Sequence, residues 1–146
     1  MTIEEKYKRF EFLKTRLSTI GMEVLIDKNK EYLDLQREQM SSGYDNNGER
    51  IGVYANPAYE RAEQIMNPKA GGYVDLKFGG DFQAELTLRA VSSKKFIEYS
   101  QDEKAVKLTK KYGNDIYFLN PTNLSTFRRN DFMPELKYRS EKIING

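Results

Sequence analysis

Residues 3 to 20 place Ile3, Tyr7, Phe10, Leu13, Leu17 and Ile20 at spacings of four, three, three, four and three, which lays one apolar stripe along an amphipathic helix. Thr2 and Glu5 have the spacing of a capping box, in which the hydroxyl accepts an orphan amide and the carboxylate reaches back to the cap. Gly21 interrupts the pattern: it either ends this helix or weakens a continuous one by about 1 kcal/mol relative to Ala. A second helix is predicted from about Met22 to Ser41 on Met22, Ile26, Leu33 and Met40, widened by Leu25, Tyr32 and Leu35. Asn29 and Gln36 interrupt that stripe, which leaves room for part of it to face a partner or solvent rather than a dry core.

Residues 41 to 72 hold five of the 10 Gly and two of the four Pro, and form the irregular region of the chain. A short helix from about Pro57 to Ile65 fits inside it, with Pro57 in the first turn and Asn56 as its cap. After Gly72 the period shifts towards two, through YVDLKF, ELTLRAV and KKFIEYS, and the last two runs predict an antiparallel hairpin turning at Ser92 and Ser93. Residues 102 to 112 return to helical spacing through Ala105, Leu108 and Tyr112, with Gly113 as a stop. IYFL then reads as a short strand or extended segment. From Pro121 to Ile144 the pattern is helical, and Pro134 either kinks it or starts a second helix.

The expected architecture is a single α+β domain over residues 1–146. It comprises an N-terminal helical part (1–42), an irregular loop (43–72), a sheet with one short helix (73–119) and a C-terminal helical tail (120–146). The N-terminal long helix or helix pair should pack on the small antiparallel sheet. A loop as long as 41 to 72 is usually functional or disordered, and this one is expected to pack against a neighbouring subunit or partner in the assembly.

Composition narrows the chemistry. The chain has 146 residues, 24 Lys plus Arg against 22 Asp plus Glu, and no Cys, His or Trp. Thiol nucleophiles, imidazole bases, Cys/His zinc sites and Ser-His-Asp triads are therefore excluded. No apolar run reaches the roughly 18 residues of a spanning helix, and MTIEEKYKRF is charged where a secretion signal needs an apolar stretch. The expectation is a protein made and kept in a cytoplasm, or in a particle assembled there, without a membrane partner. A net charge of +2 from closely mixed signs does not by itself point to nucleic acid.

Three short motifs read as local structure. DNNGE at 45 to 49 would put the essential ends of a calcium loop on Gly43 and Tyr54, so it reads as a tight turn. GGDF at 79 to 82 lacks the acid expected between Asp81 and Phe82 in diguanylate cyclases; it reads as a structural turn in which Gly79 and Gly80 allow positive φ and Asp81 caps a short helix or strand. Asn123-Leu124-Ser125 matches a glycosylation acceptor, without any sign of secretion. Two basic clusters, Lys94 with Lys95 and Lys104, Lys107, Lys110 and Lys111, form either solvated faces or a phosphate-facing surface near DNA. Tyr44, Tyr54, Tyr59, Asn67 and Pro68 in the loop are interface candidates, because tyrosine offers large contact area at low rotamer cost.

The runs LQREQMSSGYDNNGERIGVYANPAYE, NPKAGGYVDLKFGGDFQAELTLRA and KYGNDIYFLNP resemble small structural proteins of tailed bacteriophages and prophages, especially of Bacteroidetes hosts, in the tail-completion and head–tail connector group. The motif nearest this group is Asp75, Leu76, Gly80, Asp81 and Phe82, and the chain departs from its common form in carrying Gly79 where Thr precedes the second Gly. The resemblance covers roughly residues 30 to 145. It implies a non-enzymatic virion protein that forms a homo-oligomeric ring in the phage neck or tail top, with portal, adaptor or tail proteins as neighbours and neither cofactor nor metal. The alternatives are a nucleic-acid-binding accessory protein using the lysine helix at 104 to 111, and a small Mg²⁺ enzyme built on Asp75, Asp81 and Glu85. In a scaffold, Asp75 and Glu85 should lie on strands and face solvent.

Overall fold

The structure, a computed structural model, describes residues 1–77 and 80–146. Gly79 of the expected turn is not described as placed: the described residues resume at Gly80, so the Gly79 reading lies outside them. Helix α1 (Ile3–Asp27) opens on the predicted capping box: Thr2 Oγ1 accepts from the Glu5 amide at 3.1 Å and Glu5 Oε2 accepts from the Thr2 amide at 2.8 Å. It runs straight through Gly21, and the break comes at Lys28, before α2 (Asn29–Ser41). The second helix thus begins seven positions later than the pattern suggested. Asn29 is the reason, since its side-chain amide donates to the Ile26 carbonyl at 2.6 Å and competes with the helical ladder. Gly21 instead lets Phe132 approach: a methyl group there would stand 3.7 Å from the Phe132 ring.

Helix α3 (Pro57–Met66) starts as predicted, with Asn56 Oδ1 accepting from the Ala58 and Tyr59 amides. DNNGE is a tight turn in which Asp45 Oδ1 accepts from the amides of Asn47 and Glu49. Residues 73 to 77 do not form the expected strand; only an isolated bridge joins Val53 to Tyr73. Val74, Asp75 and Leu76 are all buried, so no period of two survives, and Leu76 takes a left-handed φ of 55°. The short helix α4 (Asp81–Ala84) comes next. Its N-cap is Gly80 at φ 75°, so Asp81 is already helical and makes no capping bond of its own, contrary to expectation.

Strands β1 (Leu86–Ser92) and β2 (Lys95–Ser100) form the predicted antiparallel hairpin, with Leu88 opposite Glu98. Helix α5 (Ala105–Tyr112) ends at Gly113, as expected. Residues 116 to 119 are not a strand: a 3₁₀ turn at Asn114–Ile116 leads into extended backbone, with Phe118 at a left-handed φ of 72°. The tail contains α6 (Pro121–Phe127), a π turn (Arg128–Phe132) and α7 (Met133–Asn145). Pro134 lacks the N–H that would continue a single helix, and the wider π turn before it absorbs the bend. Helix α7 packs back along α1, where Arg139 Nη2 meets Asp27 Oδ2 at 2.6 Å. Among the described residues, no helix is long and apolar enough to cross a membrane.

The core lies between α2, the inner face of the hairpin and the segment from Ile116 to Leu119. Tyr32 meets Phe96 and Phe127 edge-on, with ring centroids 6.1 and 5.4 Å away. Without a strand partner, the 116–120 backbone is satisfied by side chains. Gln36 donates to the Ile116 carbonyl (3.0 Å), Asn46 to that of Tyr117 (3.0 Å) and Gln39 to that of Phe118 (3.0 Å). The Tyr32 hydroxyl accepts from the Leu119 amide (3.3 Å), and Gln39 Oε1 from the Asn120 amide (2.8 Å). Gln36, which seemed to interrupt an apolar stripe, is fully buried and also donates to Glu98 Oε2 at 2.8 Å.

Glu98 brings a carboxyl into this core. Burial pushes it from an ordinary 4.5 up to about 7, despite donors from Phe118, Gln36 and Tyr32. Between those two values the folded state holds a proton that the unfolded chain has released, so stability falls as pH rises through the window and levels off above it. The full span corresponds to about 3 kcal/mol. Glu98→Gln, which mimics the protonated form, should melt near wild type at pH 5 and above it at pH 8; parallel melting curves across that range would refute the assignment. Two glycines should behave oppositely. Gly21→Ala should raise stability by about 0.5–1 kcal/mol, because the helix gains propensity and the methyl has room, whereas Gly80→Val should lose about 1–3 kcal/mol to its positive φ. Chemical denaturation of the two variants checks both.

Candidate functional site

Helices α3 and α5 and the segment leading into α4 enclose a half-open cleft of about 580 Å³. Its floor is apolar, made by Val74, Leu76, Phe82 and Leu108. Three tyrosines wall it: Tyr54 and Tyr59, packed edge to face at 5.1 Å, and Tyr112 from the end of α5. Lys104, Lys107 and Lys111 stand along its mouth, because positions three and four apart on α5 share one face. Lys111 also lies 5.3 Å from the centre of the Tyr112 ring.

A buried polar network underlies the tyrosine wall. Asp75 Oδ2 accepts from Asn67 Nδ2 at 2.7 Å, while its Oδ1 accepts from the Lys77 amide at 3.0 Å and from the Tyr54 hydroxyl at 3.3 Å. Asn67 Nδ2 donates to the Ser41 carbonyl as well, and Gln83 Nε2 to that of Asp75. Glu63 is buried against Asp75; desolvation first, then the charge of Asp75 and the hydrogen bond between them, push its carboxyl upward. Burial, with the charges of Asp75 and Glu63 added, also raises the Tyr54 hydroxyl and keeps it a donor. Asp75 spends its acceptors inside the fold, and this stabilises the strained turn at Leu76 on the floor.

The structure therefore brings together Tyr54, Tyr59, Lys104, Lys107 and Lys111, and leaves the other candidates elsewhere. Tyr44 stacks on Arg50, which also covers Tyr73, each ring centre 4.3 Å from the guanidinium carbon. Lys94 and Lys95 sit at the exposed hairpin tip, and Lys110 lies outside the cleft lining. Pro68 opens a 3₁₀ turn held by the Lys69–Glu38 ion pair. Asn67, expected at an interface, is buried and ties Ser41 to Asp75. Asp75, expected on a strand and facing solvent, is also buried, because it supplies hydrogen bonds that an irregular segment cannot find in a sheet. Glu85 does face solvent but caps the end of α4 rather than lying on a strand. Among the described residues no group of three or more acids could hold a metal ion, so Asp75, Asp81 and Glu85 do not converge.

Sequence reasoning missed Glu63 and Glu98. For Glu98 a signal existed, since alternation places it on the face of Phe96; for Glu63 there was none. No family model, no curated protein and no solved structure matches the chain.

The network yields a contrast between its two acids. Asp75→Asn should cost about 2–4 kcal/mol, because the buried Asn67 amide and the partly buried Lys77 amide lose a charged acceptor. Glu63→Gln should be neutral or stabilising at pH 7.5, because a raised carboxyl costs the fold stability once pH exceeds its folded pKa. Thermal melts of both variants test this, and an equal loss in the two would refute the raised Glu63 carboxyl.

Proposed function

We propose that the chain is a non-enzymatic structural protein that assembles with copies of itself, and that its assembly is a ring at the neck or tail top of a tailed phage. The observation that carries self-assembly is the outer half of the α1 stripe. Ile3, Phe10, Leu17 and Val24 are spaced by seven; Val24 is buried in the fold, whereas Ile3 is 89% exposed, Phe10 51% and Leu17 45%. With Tyr7 beside them at 64% exposure, they form an apolar seam several turns long, of the kind that helices bury against one another. Solvation of such a seam costs about 25 cal/mol per Å² of apolar surface, a cost that association removes. The placement in a phage neck or tail rests on the resemblance of residues 30 to 145 to connector and tail-completion proteins.

The test is light scattering with negative-stain imaging of the purified chain, beside the double variant Phe10→Glu with Leu17→Glu. Uniform rings are expected for the wild type, and folded monomers for the variant. A monomeric wild type, or rings that survive both substitutions, would overturn the seam as the assembly surface.

A further inference from the structure

We propose that the cleft between α3 and α5 is a docking site for an acidic peptide segment of a partner protein, one that carries a bulky apolar anchor. The anchor is implied by the floor. Val74, Leu76, Phe82 and Leu108 offer no donor or acceptor, and the adjacent Asp75 carboxylate already accepts from Asn67, Lys77 and Tyr54. A nucleobase entering there would bury polar edges without partners, at a cost a phenyl or isobutyl group does not meet. Acidity is implied by the mouth: Lys104, Lys107 and Lys111 are exposed on one side of α5, where carboxylates flanking the anchor would meet them while remaining partly solvated. The cavity of about 580 Å³ takes one or two large side chains. The tyrosine walls add an amphipathic rim whose Tyr54 hydroxyl is already held in place by Asp75.

This site is separate from the α1 seam, for no α1 residue lines the cleft. Its failure and that of the ring reading can therefore be told apart.

The experiment uses the whole chain and a fluorescent peptide with a central Phe-Leu pair and Glu residues on both sides. Binding is tracked by anisotropy and by amide shifts in labelled protein. Binding should shift Tyr54, Tyr59 and Leu108, and should weaken about tenfold or more in Lys107→Glu with Lys111→Glu, a change of about 1.4 kcal/mol. These lysines are solvent-exposed, and unchanged hairpin amide shifts will confirm that the variant is folded. Replacing the central pair by Ala-Ala, or the flanking Glu by Lys, should weaken binding at least as much. Four results would each overturn the proposal: no binding, equal binding of the Lys-flanked peptide, shifts confined to residues outside the cleft, or displacement of the peptide by oligothymidine. A change in the chain's own sedimentation on mutating Lys107 and Lys111, without peptide, would assign the cleft to a second copy instead and also overturn it.

Discussion

Burying the backbone from Ile116 to Asn120 without a strand beside it is the constraint on which the fold turns. Ile116, Tyr117 and Leu119 are buried, and each buried amide or carbonyl left unpaired costs about 1–3 kcal/mol, a large share of the stability of a domain of this size. Helix α2 answers with side chains: Gln36, Gln39 and Tyr32 point at this segment and act as a surrogate strand, joined by Asn46 from the loop. The position of α2 over the hairpin is thereby fixed by directional bonds as well as by apolar area. Glu98 is a consequence of the same arrangement, since Gln36 has a second amide hydrogen and a carboxyl on the inner face of β2 takes it.

A second polar network serves the other side of the molecule. In the segment from Tyr73 to Lys77 the Asp75 carboxylate takes the Lys77 amide, while Tyr73 and Val74 donate to the Ala70 and Gly52 carbonyls. The other partners of Asp75 lie 8 to 21 positions away, on three separate pieces of the fold: Asn67 after α3, Tyr54 from the loop and Gln83 from α4. Because those bonds hold Tyr54 and the Leu76 turn, the cleft inherits its shape from buried polar contacts beneath it. The apolar floor and the saturated carboxylate are then two aspects of one arrangement.

Legibility in the sequence divides along the same line. Thr2 with Glu5, Asn56 with Pro57, and Gly113 announce helix ends through bonds made within a few residues, and the structure places all three as read. The hairpin was legible because Leu86, Leu88, Phe96 and Glu98 alternate about a short turn. YVDLKF misled, since it looks like a strand by composition while Tyr73 and Val74 donate to the Ala70 and Gly52 carbonyls and Lys77 to the Asp75 carboxylate; IYFL took the extended alternative, with hydrogen bonds to side chains up to 87 positions away. No local period records such partners. Gln36 was visible only as a polar residue in an apolar stripe, and polarity alone does not say whether a helix face meets water or a buried carbonyl. Tyr54, Tyr59 and the lysines of the cleft were legible as surface residues, whereas Tyr112 read only as an apolar position of its helix, and their convergence depends on α5 folding back across the loop.

The two exposed features differ in physical kind, and that difference bears on how the molecule would assemble. The α1 seam is long, apolar and bordered by mixed charges, so its association should be driven by buried area and depend little on salt. The cleft is half-open, with three cations at its mouth; its association should be faster at low ionic strength and weaken as salt screens the lysines. A protein using both would first commit copies of itself through the seam and then select its neighbour through the cleft. The rigid polar network under Tyr54 and Leu76 suits that second task, because a preformed pocket loses little entropy when an anchor enters it.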